Sequence, residues 1–309
     1  MRLWDRIETR PGIGSRSRLL GMLLMVWAAM SWAGIEFLGS LIPRDYSPYE
    51  TVWVRYGAHL IFMILVLGRV EGFNMFRTPR LGRQIFRSLL MLGMPACFIT
   101  AVSLGVDLRL VWAITWISVP MMMLIASILL GEKVTMARWI AGFVGLAGTL
   151  LFIRPPFVKP GWKLLLPLGV GFCYGLYNVL TRAMRTERTS ANLFHTALWV
   201  FIPLTFVMPS VWHTPTLKVA LAMVGIGVWG FVTLLALDRA LAWAPVSAAA
   251  PFIYTQCIWT DFVGVIWHRF HPVLHQLLGA VLIVGSLIWI LAQDGRGNLA
   301  VQPRTGDTP

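Results

Sequence analysis

Ten stretches of this 309-residue chain carry no Asp, Glu, Lys or Arg: 19–35, 56–68, 88–106, 110–131, 139–153, 164–181, 189–217, 219–237, 240–260 and 270–293. Several exceed the roughly 18–20 apolar residues that cross a hydrocarbon core of about 30 Å. The shorter runs reach that length when one flanking charge lies inside the span. Lipid offers backbone N–H and C=O groups no partner, so each run predicts a helix. The pattern predicts an all-α integral membrane protein with ten transmembrane helices. Pro203 and Pro209 lie in the run 189–217, which predicts a kink or break there. The first run contains Trp27 and Trp32 and has no small-residue cleavage site before Pro43, so it reads as a retained helix.

Composition agrees with the pattern. Hydrophobic residues make up 57% of the chain and charged residues 13%, with mean hydropathy +0.72. Soluble domains carry about a quarter charged residues. The net charge of +13 would suggest nucleic acid in another chain. Here no basic domain stands outside the spans, and nucleic-acid binding is excluded as a reading. With both termini in the cytoplasm, 18 basic residues fall on the cytoplasmic side and 7 on the other, with Arg55 inside a span. That bias is what the positive-inside rule requires, and it places the protein in the cell (inner) membrane. Residues 1–18 and 294–309 read as short polar cytoplasmic tails. Cys97, Cys173 and Cys257 all fall within spans and read as small buried apolar residues.

Two stretches read alike at an offset of 137 residues: LLGEKVTMARWIAGFVGLAGTLLFIRP from Leu129 and IWHRFHPVLHQLLGAVLIVGSLIWILA from Ile266. Gly142 matches Gly279 and Gly148 matches Gly285. Earlier, WAGIEFL at Trp32–Leu38 pairs with YGLYNVL at Tyr174–Leu180. The expected organisation is a five-helix repeat over 19–155 and a second over 156–293. Five is odd, so the second repeat lies inverted relative to the first, as in alternating-access carriers.

The segment carrying Pro120, Leu130, Gly131, Glu132, Lys133, Arg138, Gly142 and Gly148 resembles the closing part of an EamA repeat, of the drug/metabolite transporter superfamily. RALAWAPVSAAAPFIYTQCIW at Arg239–Trp259 is similar to that family's eighth-to-ninth helix junction. The resemblance covers about residues 19–293. It implies a ten-helix carrier of a small organic solute or metabolite, with a central cavity between two inverted halves. The chain departs from the family pattern at His268 and Arg269, where Gly-Glu is usual, and at Glu36 and Asp261, where uncharged residues are usual.

Charges within a span are costly and mark a cavity or a partner. Glu36, Arg55 and Asp261 fall about six or seven residues from the ends of their helices, roughly 9–10 Å below the external surface at 1.5 Å per residue. An ion pair of Arg55 with Glu36 or Asp261 is expected. It reads either as a structural bridge or as a substrate or proton site, and a cation among acids favours an amino-acid-like solute. His59 shares the helical face of Arg55. Trp32, Trp116, Tyr174, Tyr177, Asn178, Tyr254, Gln256 and Trp259 form an amphipathic set suited to lining a cavity, with packing or lipid contact as the alternative for any one. Glu132, with the helix-interrupting Pro120 and Pro251, reads as gate or helix-end chemistry. His268, His271 and His275 read as interfacial, since Pro272 interrupts them and no Cys or acid completes a metal set.

No catalytic motif, nucleotide loop, metal site or cofactor is expected. The expectation is a secondary transporter moving a small molecule by alternating access, with a proton as the candidate coupling ion. A passive facilitator or channel is the alternative. The lipid bilayer is the other partner, and a homo-oligomer is compatible with the sequence.

Overall fold

A computed structural model describes residues 15–157, 161–269 and 271–299. The tails expected at 1–18 and 294–309 lie largely outside the described residues. Among the described residues every regular element is a helix and none is a strand. They run α1 Ser15–Ser40, α2 Pro48–Glu71, α3 Leu81–Ser103, α4 Leu108–Thr115, α5 Ser118–Leu130, α6 Met136–Ile153, α7 Leu165–Ala183, α8 Thr189–Val211, α9 Leu217–Trp243, α10 Val246–Ala249, α11 Thr255–His268 and α12 Leu274–Leu299.

Sequence sets the helix ends. Ser47 caps α2, its hydroxyl accepting the Tyr49 N–H with Pro48 in the first turn. Asp107 caps α4 through the Arg109 N–H, and Thr135 caps α6 through the Arg138 N–H. α5 stops at Gly131, whose φ of 64° is left-handed backbone that glycine adopts without steric cost.

Among the described residues, nine helices are long and apolar enough to cross a bilayer, α4 and α5 counting together as Leu108–Leu130. Large aliphatic side chains such as Leu65, Ile128 and Val281 point outward, each about two-thirds exposed. In water such a surface would be untenable; in lipid it is the required one. The segment Val246–His268 is not among the nine because it is divided into α10, a 3-10 turn over Ala250–Tyr254, and α11. It nevertheless runs from one end of the bundle, where Ser247 meets Arg138 at 3.1 Å, to the other, where Trp267 packs on Phe37 at 4.9 Å.

Of the kink or break expected in α8, the break is absent. α8 passes through Pro203 and Pro209 as one helix. Neighbouring helices and hydroxyl side chains can re-satisfy a freed carbonyl in a membrane bundle.

Helix pairs pack as α1 with α9, α3 with α7, α6 with α12, α2 with α8, α2 with α9, α3 with α8, α1 with α11 and α5 with α7. α6 and α12 come into backbone contact where Gly148 meets Gly279. A Cβ at Gly148 would lie 2.9 Å from the Gly279 carbonyl oxygen, and one at Gly279 would lie 2.6 Å from that of Gly148. Small residues admit such backbone contact where no hydrophobic force draws helices together.

Candidate functional site

A cavity of about 850 Å³ opens at the end of the bundle that carries Pro43, Arg154 and His275, with walls from α1, α4, α6, α11 and α12. Its wall holds two carboxylates. Glu36 on α1 accepts hydrogen bonds from Gln256 Nε2 at 2.6 Å and Thr260 Oγ1 at 3.0 Å, both on α11. Asp261, one residue further along α11, accepts Gln276 Nε2 from α12 at 2.7 Å. Trp112 on α4 and Trp116 just past its end supply a facing apolar wall, their rings 6.3 Å apart and 26° from parallel. Exposed Arg109 and Arg154 stand at the mouth, and Arg109 is 3.4 Å from Asp107.

The two interrupted segments meet below this cavity. Pro120 has no N–H for the turn before it, so α4 and α5 part at Trp116–Ile117. Pro251 does the same between α10 and α11. The Trp116 and Tyr254 rings sit 6.0 Å apart across the two interruptions, and the Tyr254 hydroxyl donates to the Gly142 carbonyl at 3.2 Å. Only a glycine fits at 145, where a Cβ would come within 2.7 Å of the Tyr254 ring. A second, much smaller void lies between Trp32, Tyr174, Thr233 and Gln256, with room for about one water. Gln256 borders both spaces and so forms part of the wall between them.

The expected ion pair of Arg55 with Glu36 or Asp261 does not form. The Arg55 guanidinium lies 5.3 Å from the ring centres of both Trp32 and Tyr56, and its Nη2 is buried without a hydrogen-bond partner. α2 packs on α9 and α8, so it turns Arg55 towards Gly230, where a Cβ would sit 2.9 Å from Arg55 Nε. Glu36 instead faces α11. Equal depth did not mean a shared face. His59 is buried between Tyr56 and Phe231, its Nε2 unpartnered.

Of the aromatic and amide set, Trp116 and Gln256 line the large cavity, and Trp32, Tyr174 and Gln256 the small void. Trp32 and Tyr174, on α1 and α7, have ring centres 6.1 Å apart. Tyr177 lies under Arg87, and Asn178 donates to the Tyr174 carbonyl at 2.8 Å, so both serve the interior beneath the void. Trp259 packs against Phe262 with its ring N–H buried and unpartnered. His275 lines the cavity, whereas interfacial solvation was expected; His271 is exposed, and the side chain of His268 lies outside the described residues.

At the opposite end a polar cluster ties the described residues together. The Glu132 carboxylate accepts the Val246 and Ser247 backbone N–H groups, both at 3.0 Å, and lies 3.7 Å from Arg182 Nε. Arg182 also donates to the Leu241 and Ala242 carbonyls. Arg138 bonds Ser247 and, at 2.9 Å, Asp294. These contacts tie α5, α6, α7, α9, α10 and α12 at one point.

Sequence reading missed several groups. Arg109, Arg154, Thr260 and Gln276 line the cavity, the two arginines being among the 7 basic residues counted on the side away from the cytoplasm. Arg87, one of the 18 basic residues counted on the cytoplasmic side, is 1% exposed. It donates to Gln84, Thr181, Thr196 and the Asn192 carbonyl, while Asn192 and Thr189 donate to Asp238. The spacing of Gln84, Arg87 and Ser88 on one helical face was the available signal.

Comparison with known proteins now adds to the geometry. The EamA-like transporter family model matches residues 19–154 and again 161–292, and the chain belongs to that family. It is therefore a multi-pass membrane transporter. The riboflavin transporter of Vibrio cholerae is 25% identical, over 88% of this chain and 93% of that protein. A riboflavin transporter of Rhizobium johnstonii is 22% identical, over 94% of this chain and 97% of the other. The S-adenosylmethionine uptake transporter of Rickettsia bellii is 23% identical, over 72% and 77%. A solved crystal structure, described only as that of a protein, superposes with a TM-score of 0.76 at 18% identity, covering 89% of this chain and 99% of the other. That likeness speaks for the fold.

Proposed function

We propose that this chain is a secondary carrier that moves a small organic metabolite by alternating access through the cavity between two inverted five-helix halves. The observation that carries the reading is the contrast between the two ends: a cavity of about 850 Å³ open at one, and the Glu132 cluster closing the other. The segment Val246–His268 supplies the tenth crossing.

Several features support the inverted halves, 19–155 and 156–293. Exchanging α1–α6 for α7–α12 in order maps the packed helix pairs onto themselves. The two interruptions fall at corresponding places, and interrupted helices at mid-membrane are where such carriers hold their substrates. The counterpart of Glu132 at the offset of 137 is Arg269, so the open end has no equivalent carboxylate, and α4 there is capped by its own Asp107. With the termini cytoplasmic and the protein in the inner membrane, the cavity faces outward.

Glu36, Asp261, Gln256 and Trp116 are the residues we assign to the substrate, with Trp32 and Tyr174 on the inward path and Glu132, Pro120 and Pro251 at the gate and hinges. Arg55 and His59 are assigned to packing of the bundle, so the argument for an amino-acid-like solute falls with the ion pair. The printed substrates of the relatives, riboflavin and S-adenosylmethionine, are fused-ring heterocycles with polar arms. Such a shape suits a tryptophan wall facing carboxylates and amides. Counterflow in vesicles tests the reading. Preloaded riboflavin or S-adenosylmethionine should drive transient accumulation of the labelled compound, whereas flux without counterflow indicates a facilitator.

A further inference from the structure

We propose that the cavity selects organic cations bearing a flat ring, with Glu36 and Asp261 as the counter-charges. This deepens the carrier reading above and rests on it. Every hydrogen bond recorded for the two carboxylates comes from a neutral donor: Gln256 and Thr260 for Glu36, and Gln276 for Asp261. Neither acid has an ion-pair partner among the described residues.

The cations that could neutralise them are engaged or wet. Arg55 is held over Trp32 and Tyr56. Arg109 pairs with Asp107 at the mouth, and Arg154 is exposed on the last turn of α6. His275 is a further titratable lining group, half-buried on α12. Charges at a wet mouth are screened within about 10 Å, while those in the depth are screened far less. Glu36 and Asp261 therefore stand on the cavity wall with no cation fixed beside them, and an uncompensated carboxylate within a span is costly until a cation arrives.

Trp112 and Trp116 give this cation a ring face to lie on as well as a carboxylate to meet, since aromatic faces attract cations. A proton alone would meet the charge requirement. It would need neither 850 Å³ of space nor a tryptophan wall.

S-adenosylmethionine and S-adenosylhomocysteine share a ring system and differ by one methyl group and one positive charge, so they test the claim as a pair. Binding of each to the purified full chain in detergent is measured by calorimetry. The expected result is a preference of about tenfold or more for the cation, as charge-assisted contacts exceed neutral ones. That preference should fall to within about twofold in the Glu36→Gln, Asp261→Asn double variant and persist in Glu36→Asp. Equal affinity, a preference for the neutral compound, or no binding of either overturns the proposal, and none of these depends on a variant folding. Counterflow of riboflavin alongside any such result would leave the carrier reading standing while the cation class fails.

Discussion

The Glu132 carboxylate accepts the Ser247 backbone N–H at 3.0 Å, joining the end of α5 to the start of α10. Its other oxygen takes the Val246 N–H at the same distance. A carboxylate on two backbone donors at a helix start is a strong arrangement, because both bonds are charge-assisted and oriented along the helix. Gly131 makes it reachable: its left-handed turn ends α5 and swings the next residue across to α10. In the carrier proposed above, Glu132 is one half's contribution to closing the other.

Glu132→Ala should loosen that end. Loss of even one bond worth about 1.4 kcal/mol shifts a two-state equilibrium about tenfold. Labelling of a Ser247→Cys reporter by an impermeant thiol reagent, added on the side of the termini, should rise by about that factor. Unchanged labelling would mean the contact is decorative.

The glycine contact between α6 and α12 makes a sharper structural prediction. Gly148→Val or Gly279→Val should cost about 1–3 kcal/mol, because each new side chain meets backbone that cannot yield. Gly285→Ala should be neutral or slightly stabilising, since a Cβ there meets nothing within 4 Å and alanine favours a helix. Thermal unfolding in detergent separates the two cases.

Arg87→Ala should destabilise the bundle without touching the cavity. Its four hydrogen bonds to Gln84, Asn192, Thr181 and Thr196 are each worth about 0.6 kcal/mol on the measured average for membrane interiors, so the loss should be about 2.4 kcal/mol. Binding affinity measured below the unfolding transition should be unchanged. An affinity loss of tenfold would move Arg87 into the site.

Most spans, the interruptions at Pro120 and Pro251 and the Glu132 segment were legible because each depends on local chemistry: charge-free length, a missing N–H, a glycine turn; at Pro203 and Pro209 the packing of α8 overrode that chemistry. The carboxylates Glu36 and Asp261 were legible as costly charges. Their partners were not. Depth along a helix can be counted from its ends, but the face a side chain presents depends on which neighbour packs there. Arg55 shares the depth of Glu36 and looks elsewhere because α2 packs on α8 and α9. Arg87 was hidden for a related reason. It lies close enough to a helix end to pass for a loop charge, and only the approach of α7 and α8 buries it. Gly148 and Gly285 match in the repeat, yet Gly148 touches Gly279, since partners by sequence are not partners in space.

Accessibility of one cysteine from each side of the membrane decides whether the cavity belongs to a carrier. Thr260→Cys, in a chain with Cys97, Cys173 and Cys257 replaced by Ala, puts the only thiol on the cavity wall. An impermeant reagent should label it rapidly from the side opposite the termini and more slowly from the side of the termini, and replacing Glu132 by Ala should raise the second rate while lowering the first. Equal labelling from both sides of the chain with Glu132 intact, or from neither, would contradict a cavity that opens to one side at a time.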